Sequence, residues 1–153
     1  MGVRPPRLNR GVRRTSQGGV VSIGELEAKL EISLHDSLLR ELSTDLVGRT
    51  AEFILDVWVG DPEAAPGPER ERRRAARLTL SGLEYLVVDP PDPSYPYALR
   101  KPVDLDPCGP DNEVAGRYRL PEGAFAARFF VSDWNAFIHF AAMTAALTWL
   151  EPE

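Results

Sequence analysis

Residues 50–59 show the clearest alternation of apolar and polar positions in the chain. The apolar series is Ala51, Phe53, Leu55, Val57 and Val59. A period of two is typical of a β-strand with one buried face. We therefore predict a strand over 50–59, with Phe53 and Leu55 facing the core and Glu52 facing solvent.

The segment before this strand has the same period. From Leu34 onward the pattern places Leu38, Leu42 and Leu46 on one face of a predicted strand. Gly48-Arg49 separates the two alternating runs and supplies a turn. Two such runs joined by a short turn predict a β-hairpin.

Three later segments also predict strands. Residues 75–89 carry Gly82 in the middle of the run, which indicates a bulge or a sharp bend. Residues 125–131 are apolar and precede the turn-like sequence 133–135. Residues 136–150 fit a strand or a helix: their alanines favour a helix, whereas the aromatic and β-branched residues at their start favour the strand that we adopt.

A single short helix is predicted over residues 22–31. Ser22 and Glu25 match the capping-box pattern, and apolar residues recur behind them at helical spacing. One N-terminal helix and a series of consecutive strands predict an α+β domain over 22–153. We expect a mainly antiparallel sheet of meander type, because consecutive strands usually pair.

Residues 89–113 contain seven prolines and interrupt this pattern. Proline cannot donate to a strand ladder, so we predict a long ordered loop there. Tyr95 and Tyr97 lie among the prolines and are candidate anchors for a protein partner. The loop can equally be a connector that covers one edge of the sheet.

Residues 1–21 are basic and are broken by glycine and proline, which predicts a disordered tail. Such an arm can bind nucleic acid, but a solvated extension is the interpretation we favour. Without the tail's five arginines, 13 basic residues face 23 acidic ones. An acidic body repels nucleic acid and attracts a basic protein partner.

The counts of metal-binding and redox-active residues exclude several kinds of site. The chain has one cysteine, Cys108, and two histidines, which excludes an intrachain disulfide and the usual structural zinc sites. We predict neither a metal nor a cofactor.

No apolar run is long enough to span a bilayer and no secretory signal is recognised, so we expect a cytoplasmic protein with no membrane contact. Its 16 arginines against 2 lysines, with many Ala, Gly and Pro, indicate a GC-rich bacterial genome.

The two histidines are the candidate ligand-binding positions. His35 stands in the triplet His35-Asp36-Ser37, whose adjacent side chains point to opposite faces of an extended chain and cannot form a catalytic triad among themselves. Either His35 or Asp36 can instead hydrogen-bond the backbone where the helix gives way to the strand. His139 lies in the most apolar segment, where we expect a satisfied core or interface histidine.

Three short motifs carry a resemblance to known domains. They are Leu34-His35-Asp36-Ser37, Phe53-Ile54-Leu55-Asp56-Val57 and Trp134-Asn135-Ala136-Phe137-Ile138, with Trp149 near the end. In this order they resemble small uncharacterised bacterial domains with an initial HDS or HDA motif and a final WN-x-FI strand. Some of those domains are described as immunity-protein-like, antidotes to toxins. The resemblance spans roughly residues 30–150 and implies no catalytic or binding residues.

Two classes of function follow from these observations. The leading hypothesis is a non-enzymatic protein-binding domain, and the resemblance implies an immunity-type inhibitor. The acidic body and the absence of catalytic motifs support it. The alternative is a small-ligand-binding domain or an enzyme, with a pocket near His35, Asp36 or His139.

Overall fold

The computed structural model describes residues 22–95 and 102–150 of the chain. These residues form eight strands and two short helices. In chain order they are α1 (Ile23–Leu30), β1 (Ser37–Asp45), β2 (Thr50–Trp58), β3 (Arg73–Ser81), β4 (Tyr85–Val88), β5 (Val103–Pro110), α2 (Asn112–Ala115), β6 (Phe125–Val131), β7 (Ala136–Ala142) and β8 (Thr144–Trp149). The predicted tail, residues 1–21, lies outside the described residues, as does Tyr97.

All the strand pairs are antiparallel, and the strand order is β4-β7-β6-β5-β1-β2-β3-β8. The predicted meander holds within two runs, β1-β2-β3 and β5-β6-β7. The remaining two strands pair with strands that are not their neighbours in sequence: β4 pairs with β7, and β8 pairs with β3. The predicted antiparallel, sheet-dominated class is therefore confirmed, while the second helix, α2, was not predicted.

Two bends close this sheet on itself. β3 continues into β4 through Gly82, and β7 continues into β8 through Met143. At the bends the Met143 amide donates to Ser81 O at 3.0 Å, and the Glu84 amide donates to Ala141 O at 2.7 Å. The β3–β8 ladder thus continues into the β4–β7 ladder, and the sheet closes into a barrel.

Gly82 is required at its bend for two reasons. Its φ of +63° lies in the left-handed region, and a Cβ there would stand 2.6 Å from Met143 Cγ. The predicted break within residues 75–89 is confirmed at this glycine. The strand preference for residues 136–150 is also confirmed, with the bend at Met143 and with Trp149 paired to Ala76 of β3.

The inward faces of the strands form one apolar core. Phe53 and Leu55 of β2 are fully buried, as predicted. Phe53 meets Phe129 of β6 edge to face, with 5.3 Å between ring centroids, and lies 5.9 Å from Phe140 of β7. Helix α1 adds Ile23 and Leu26 to the same cluster. Burial of these side chains stabilises the barrel.

The predicted N-terminal helix is confirmed together with its cap. Ser22 is the N-cap of α1, and its Oγ accepts a hydrogen bond from the Glu25 amide at 3.0 Å. The two described helices have eight and four residues, and the described chain contains no helix that could cross a membrane.

The predicted face of β1 is wrong. Leu39, not Leu38, is buried, and Leu46 lies in the turn with 76% of its surface exposed. The register against β2 shifts between Leu39 and Glu41, so Arg40 forms a bulge. An extra residue reverses the alternation, which puts Leu39 and Leu42 on the core side together.

The prediction of a loop throughout residues 89–113 is also wrong, because β5 lies within that segment. Residues 103–105 of β5 pair with β1, whereas Pro107 and Pro110 pair only with β6. The register shifts between these two prolines. A strand tolerates proline where one side is unpaired or where a bulge interrupts the ladder, and β5 offers both conditions.

Candidate functional site

The barrel has a cleft of about 550 Å³ between α1, α2 and strands β5 and β6. Apolar groups form much of its lining, among them Ile23, Leu120, Ala124 and Phe125. The residues with polar side chains are Ser22, Glu27, Asp111, Asn112 and Arg128. Mostly apolar walls with a few polar groups are typical of small-molecule sites.

The irregular end of β5 shapes one side of this cleft. Pro107 and Pro110 are three residues apart, whereas their partners in β6 are only two residues apart. β5 therefore carries an extra residue here, and the strands separate locally. Gly109 lines the cleft there with a φ of +78°. Asp111 then starts α2 as its N-cap, with Oδ1 accepting a hydrogen bond from the Val114 amide at 3.2 Å. The bulge and the cap together bring α2 over the outer face of the sheet.

The other oxygen of Asp111 begins a buried chain of polar groups. Asp111 Oδ2 lies 2.8 Å from His139 Nδ1, and His139 Nε2 lies 3.2 Å from Asp89 Oδ2. The Asp111 side chain is fully buried, that of His139 is 6% exposed and that of Asp89 is 39% exposed. The chain therefore runs from the wall of the cleft, beneath α2, to solvent. We call these three residues the carboxylate–histidine chain.

The arrangement limits the chemistry of His139. A neutral imidazole carries one N–H, so it can donate to only one of its two carboxylate neighbours. No described hydroxyl or thiol is hydrogen-bonded to this ring. A nucleophile activated by histidine needs that contact. His139 is instead a buried, hydrogen-bonded histidine, as the sequence predicted, and it does not itself line the cleft.

Tyr85 lies directly behind the cleft wall. It packs with Leu120 and Ala126, which line the cleft, and its ring stacks on Tyr118 at 4.9 Å. Its buried hydroxyl has no hydrogen-bond partner in the described part of the chain. Burial, then the charge of Asp111 and then Tyr118 raise the pKa of Tyr85 to about 12.

Arg128 is the cation of this site. It stands opposite His139 in the β6–β7 ladder, and its guanidinium carbon lies 4.5 Å from the centre of the Phe137 ring. Its Nε is buried without a hydrogen-bond partner among residues 22–95 and 102–150. A guanidinium over an aromatic ring gains cation–π stabilisation and can still donate hydrogen bonds through its edge.

The His35 triplet lies elsewhere, where β1 and β5 meet. His35 Nδ1 is 2.6 Å from Asp106 Oδ1, and His35 Nε2 is 3.5 Å from Asp36 Oδ2. Their ligand atoms lie within 4.8 Å of one another, a spacing that could hold a metal ion, although His35 and Asp36 are mostly exposed. Ser37 is fully buried and away from this group, so the triplet forms no triad, as predicted.

Asp104 makes the same corner more acidic. Burial, then the charges of Asp133, Asp36 and Asp106 raise the pKa of the Asp104 carboxyl. Like charges within a few ångströms disfavour ionisation. The β1–β5 seam therefore forms one acidic corner of the protein.

The other sequence candidates are dispersed. Tyr95 is half-buried, and its amide donates to Asp92 O at 3.0 Å. The side chain of Asp92 accepts hydrogen bonds from the Ser94 amide and hydroxyl and from the Asn135 side chain, which lower its pKa. Cys108 is exposed in β5. Neither His35 nor Tyr95 lines the cleft, so the predicted residues do not form one site.

Sequence reasoning missed Asp89, Asp111, Tyr85 and Arg128. Asp111 precedes His139 by 28 positions and meets it only because α2 folds over β7. The one local signal was Asp111 as a possible helix N-cap in the sequence Asp111-Asn112-Glu113-Val114. The proline-rich composition of the preceding residues concealed it.

Comparison of the chain with protein-family models, with curated proteins and with solved structures gives no match. The resemblance to immunity-like domains therefore stays a prediction.

Proposed function

We propose that this protein is a ligand-binding domain whose cleft between α1 and α2 takes a small, largely apolar molecule. The main observation in its support is the cleft itself, which has a volume of about 550 Å³ and mostly apolar walls. Specific small-molecule sites commonly have volumes of roughly 300–1,000 Å³ and a few fixed polar groups. This is the alternative hypothesis of the sequence analysis, located beside His139 rather than at it.

The carboxylate–histidine chain supports this proposal. Burial of Asp111 and His139 costs free energy that an apolar pair of the same shape would not cost. The pair holds the start of α2 against β7, and α2 forms one wall of the cleft. A buried hydrogen-bonded contact of this kind keeps a wall in one position, which reduces the cost of ordering a site around its ligand.

A cleft-filling variant tests the proposal. Gly24 lines the cleft, and a Cβ added there meets no atom within 4 Å. Gly24→Phe should therefore fill the space without disturbing the barrel. Fluorescence titration with phenylnaphthylamine, a neutral apolar probe, should show at least about tenfold weaker binding by this variant, since a blocked site loses its apolar contacts.

The matched control is Ala28→Phe, one helical turn further along α1. Ala28 is exposed and does not line the cleft. The two variants add an aromatic ring to the same helix, so a general effect of surface hydrophobicity would appear in both. Equal probe binding by wild type, Gly24→Phe and Ala28→Phe would show that the cleft is not the site.

One observation favours protein binding as a second candidate function. Leu46 and Val47, 76% and 95% exposed, form the tip of the β1–β2 turn. Asp45 Oδ1 accepts hydrogen bonds from the Val47 and Gly48 amides, so this turn presents two apolar side chains in a fixed conformation. Exposed neighbouring apolar residues often mark interaction sites. The acidic corner at the β1–β5 seam would favour a basic partner.

The tip has its own test. A partner captured from lysate and then reconstituted from purified proteins should bind the Leu46→Ser/Val47→Ser variant at least about tenfold more weakly, because the variant loses the apolar area that these side chains would bury in the interface. Val88→Ser changes an exposed apolar residue on another strand and is the control. Unchanged binding by the double variant would exclude the tip as the interface.

A further inference from the structure

Arg128 is the one cationic residue in the described lining of the cleft. None of the ion pairs between described residues includes it. Its buried Nε also lacks a hydrogen-bond partner among those residues. An Nε–H that is buried without an acceptor has lost a hydrogen bond to water that nothing in the described chain replaces.

The acidic side chains of the cleft are already engaged. Both oxygens of Asp111 have partners, the Val114 amide and His139. Glu27 Oε2 accepts a hydrogen bond from the Leu34 amide at 2.7 Å. Arg128 therefore shares the cleft lining with two acids that accept hydrogen bonds from other groups, in a protein whose body has an excess of acids.

We infer that the ligand of the cleft is a monocarboxylic acid with an apolar body, and that Arg128 binds its carboxylate. This inference rests on the proposed function of the cleft. The guanidinium offers paired N–H donors that match the two oxygens of a carboxylate. The apolar walls, including Leu120 and Phe125, receive the body of the molecule.

The same charges argue for a single negative charge on the ligand. Asp111 and Glu27 line the cleft with Arg128 and would repel the second charge of a phosphate monoester. A carboxylate satisfies the guanidinium and brings no further charge.

Decanoate and decanol test the inference, because they share an apolar chain and differ in the head group. Each would be titrated against phenylnaphthylamine bound to the full chain. Wild type should bind decanoate at least about tenfold more tightly than decanol, since hydrogen bonds to charged groups are the stronger ones. Added salt should weaken decanoate binding and leave decanol binding nearly unchanged.

Substitution of Arg128 should remove that preference. Arg128→Gln should weaken decanoate binding about tenfold or more and change decanol binding less than about threefold. Arg128→Lys keeps the charge and should retain part of the preference, and it serves if the glutamine variant folds poorly. Arg119→Gln makes the same charge change at an exposed position outside the cleft lining and should have little effect.

The outcomes separate the two proposals. Equal affinities for decanoate and decanol in wild type, or a preference that survives Arg128→Gln in a folded protein, would overturn the carboxylate assignment while the cleft remained a site. Probe binding unaffected by Gly24→Phe would instead overturn the cleft itself. A preference for decanoate that Arg128→Gln abolishes and Arg119→Gln preserves supports both.

Discussion

Strands β1, β2, β3 and β8 make one half of the barrel, and β5, β6, β7 and β4 make the other in the same spatial order. The inward faces of the two halves are alike. β2 sends Phe53 into the core and β6, its counterpart, sends Phe129, both without exposed surface. The halves meet where these rings pack edge to face.

The outward faces differ. In the first half charged residues on the outer face pair in solvent, as Glu52 and Arg77 do at 3.5 Å with both side chains well exposed. In the second half α2 covers the outer face, and Asp111 and His139 are buried beneath it. Similar inward patterns therefore build the barrel, whereas the cover over one outer face buries a polar pair beside the cleft.

The largest effect should come from the shared inward pattern. Phe53→Ala and Phe129→Ala should each lower the free energy of unfolding by about 3–5 kcal/mol, because each leaves a cavity in the same core. Urea unfolding of the two variants measures this. A loss in one half but not in the other would break the equivalence of the two inward faces.

The next effect should distinguish the outward faces. Asp111→Ala removes the N-cap of α2 and leaves His139 with a single carboxylate partner, so it should cost about 2–4 kcal/mol. Glu52→Ala breaks an exposed pair and should cost less than about 1 kcal/mol. Asp111→Asn, which preserves the cap acceptor, should fall between them. Equal losses in urea unfolding would contradict the distinction.

The smallest effect depends on pH and concerns Tyr85. Below pH 10.0, the ordinary pKa of tyrosine, the phenol is neutral whether the chain is folded or unfolded. Between there and its raised pKa of about 12 the unfolded chain loses the proton and the folded chain keeps it. The free energy of unfolding therefore falls as pH rises from 10.0 to about 12.

Tyr85→Phe should make the alkaline loss of stability smaller. At neutral pH the variant should be unchanged or more stable by about 1 kcal/mol, because it removes a buried hydroxyl without a described partner. Urea unfolding from neutral pH to pH about 12 compares the two proteins. Identical pH profiles would show that this side of the barrel does not bury Tyr85 as described.

The inward pattern was the part of the fold most accessible from sequence. β2 is regular, so its alternation correctly identified Phe53 and Leu55. In β1 a single bulge at Arg40 reversed the phase, and the expected Leu38 face was wrong. Alternation predicts the buried face of a strand only where no bulge interrupts the strand. Nothing in residues 38–42 marks the position of the extra residue.

The candidate site was much less accessible. Its residues are far apart in sequence, and Tyr85 and Asp89 join the others only because β4 pairs with β7. The prolines of β5 argued against a strand, but they occupy positions that pair on one side only. The histidines were identified as candidates, yet their carboxylate partners other than Asp36 depend on tertiary contacts that leave no local pattern.

The β3–β8 ladder also determines the order in which this barrel can be completed. β1, β2 and β3 form consecutive hairpins, so they can assemble early from contacts close in sequence. β3 then exposes the amides and carbonyls of one edge until residues 144–149 arrive as β8. An unpaired edge recruits other chains as readily as its own strand. Aggregation during folding should therefore depend on how soon the last strand docks, and chaperones that delay contacts between chains should raise the yield of the barrel.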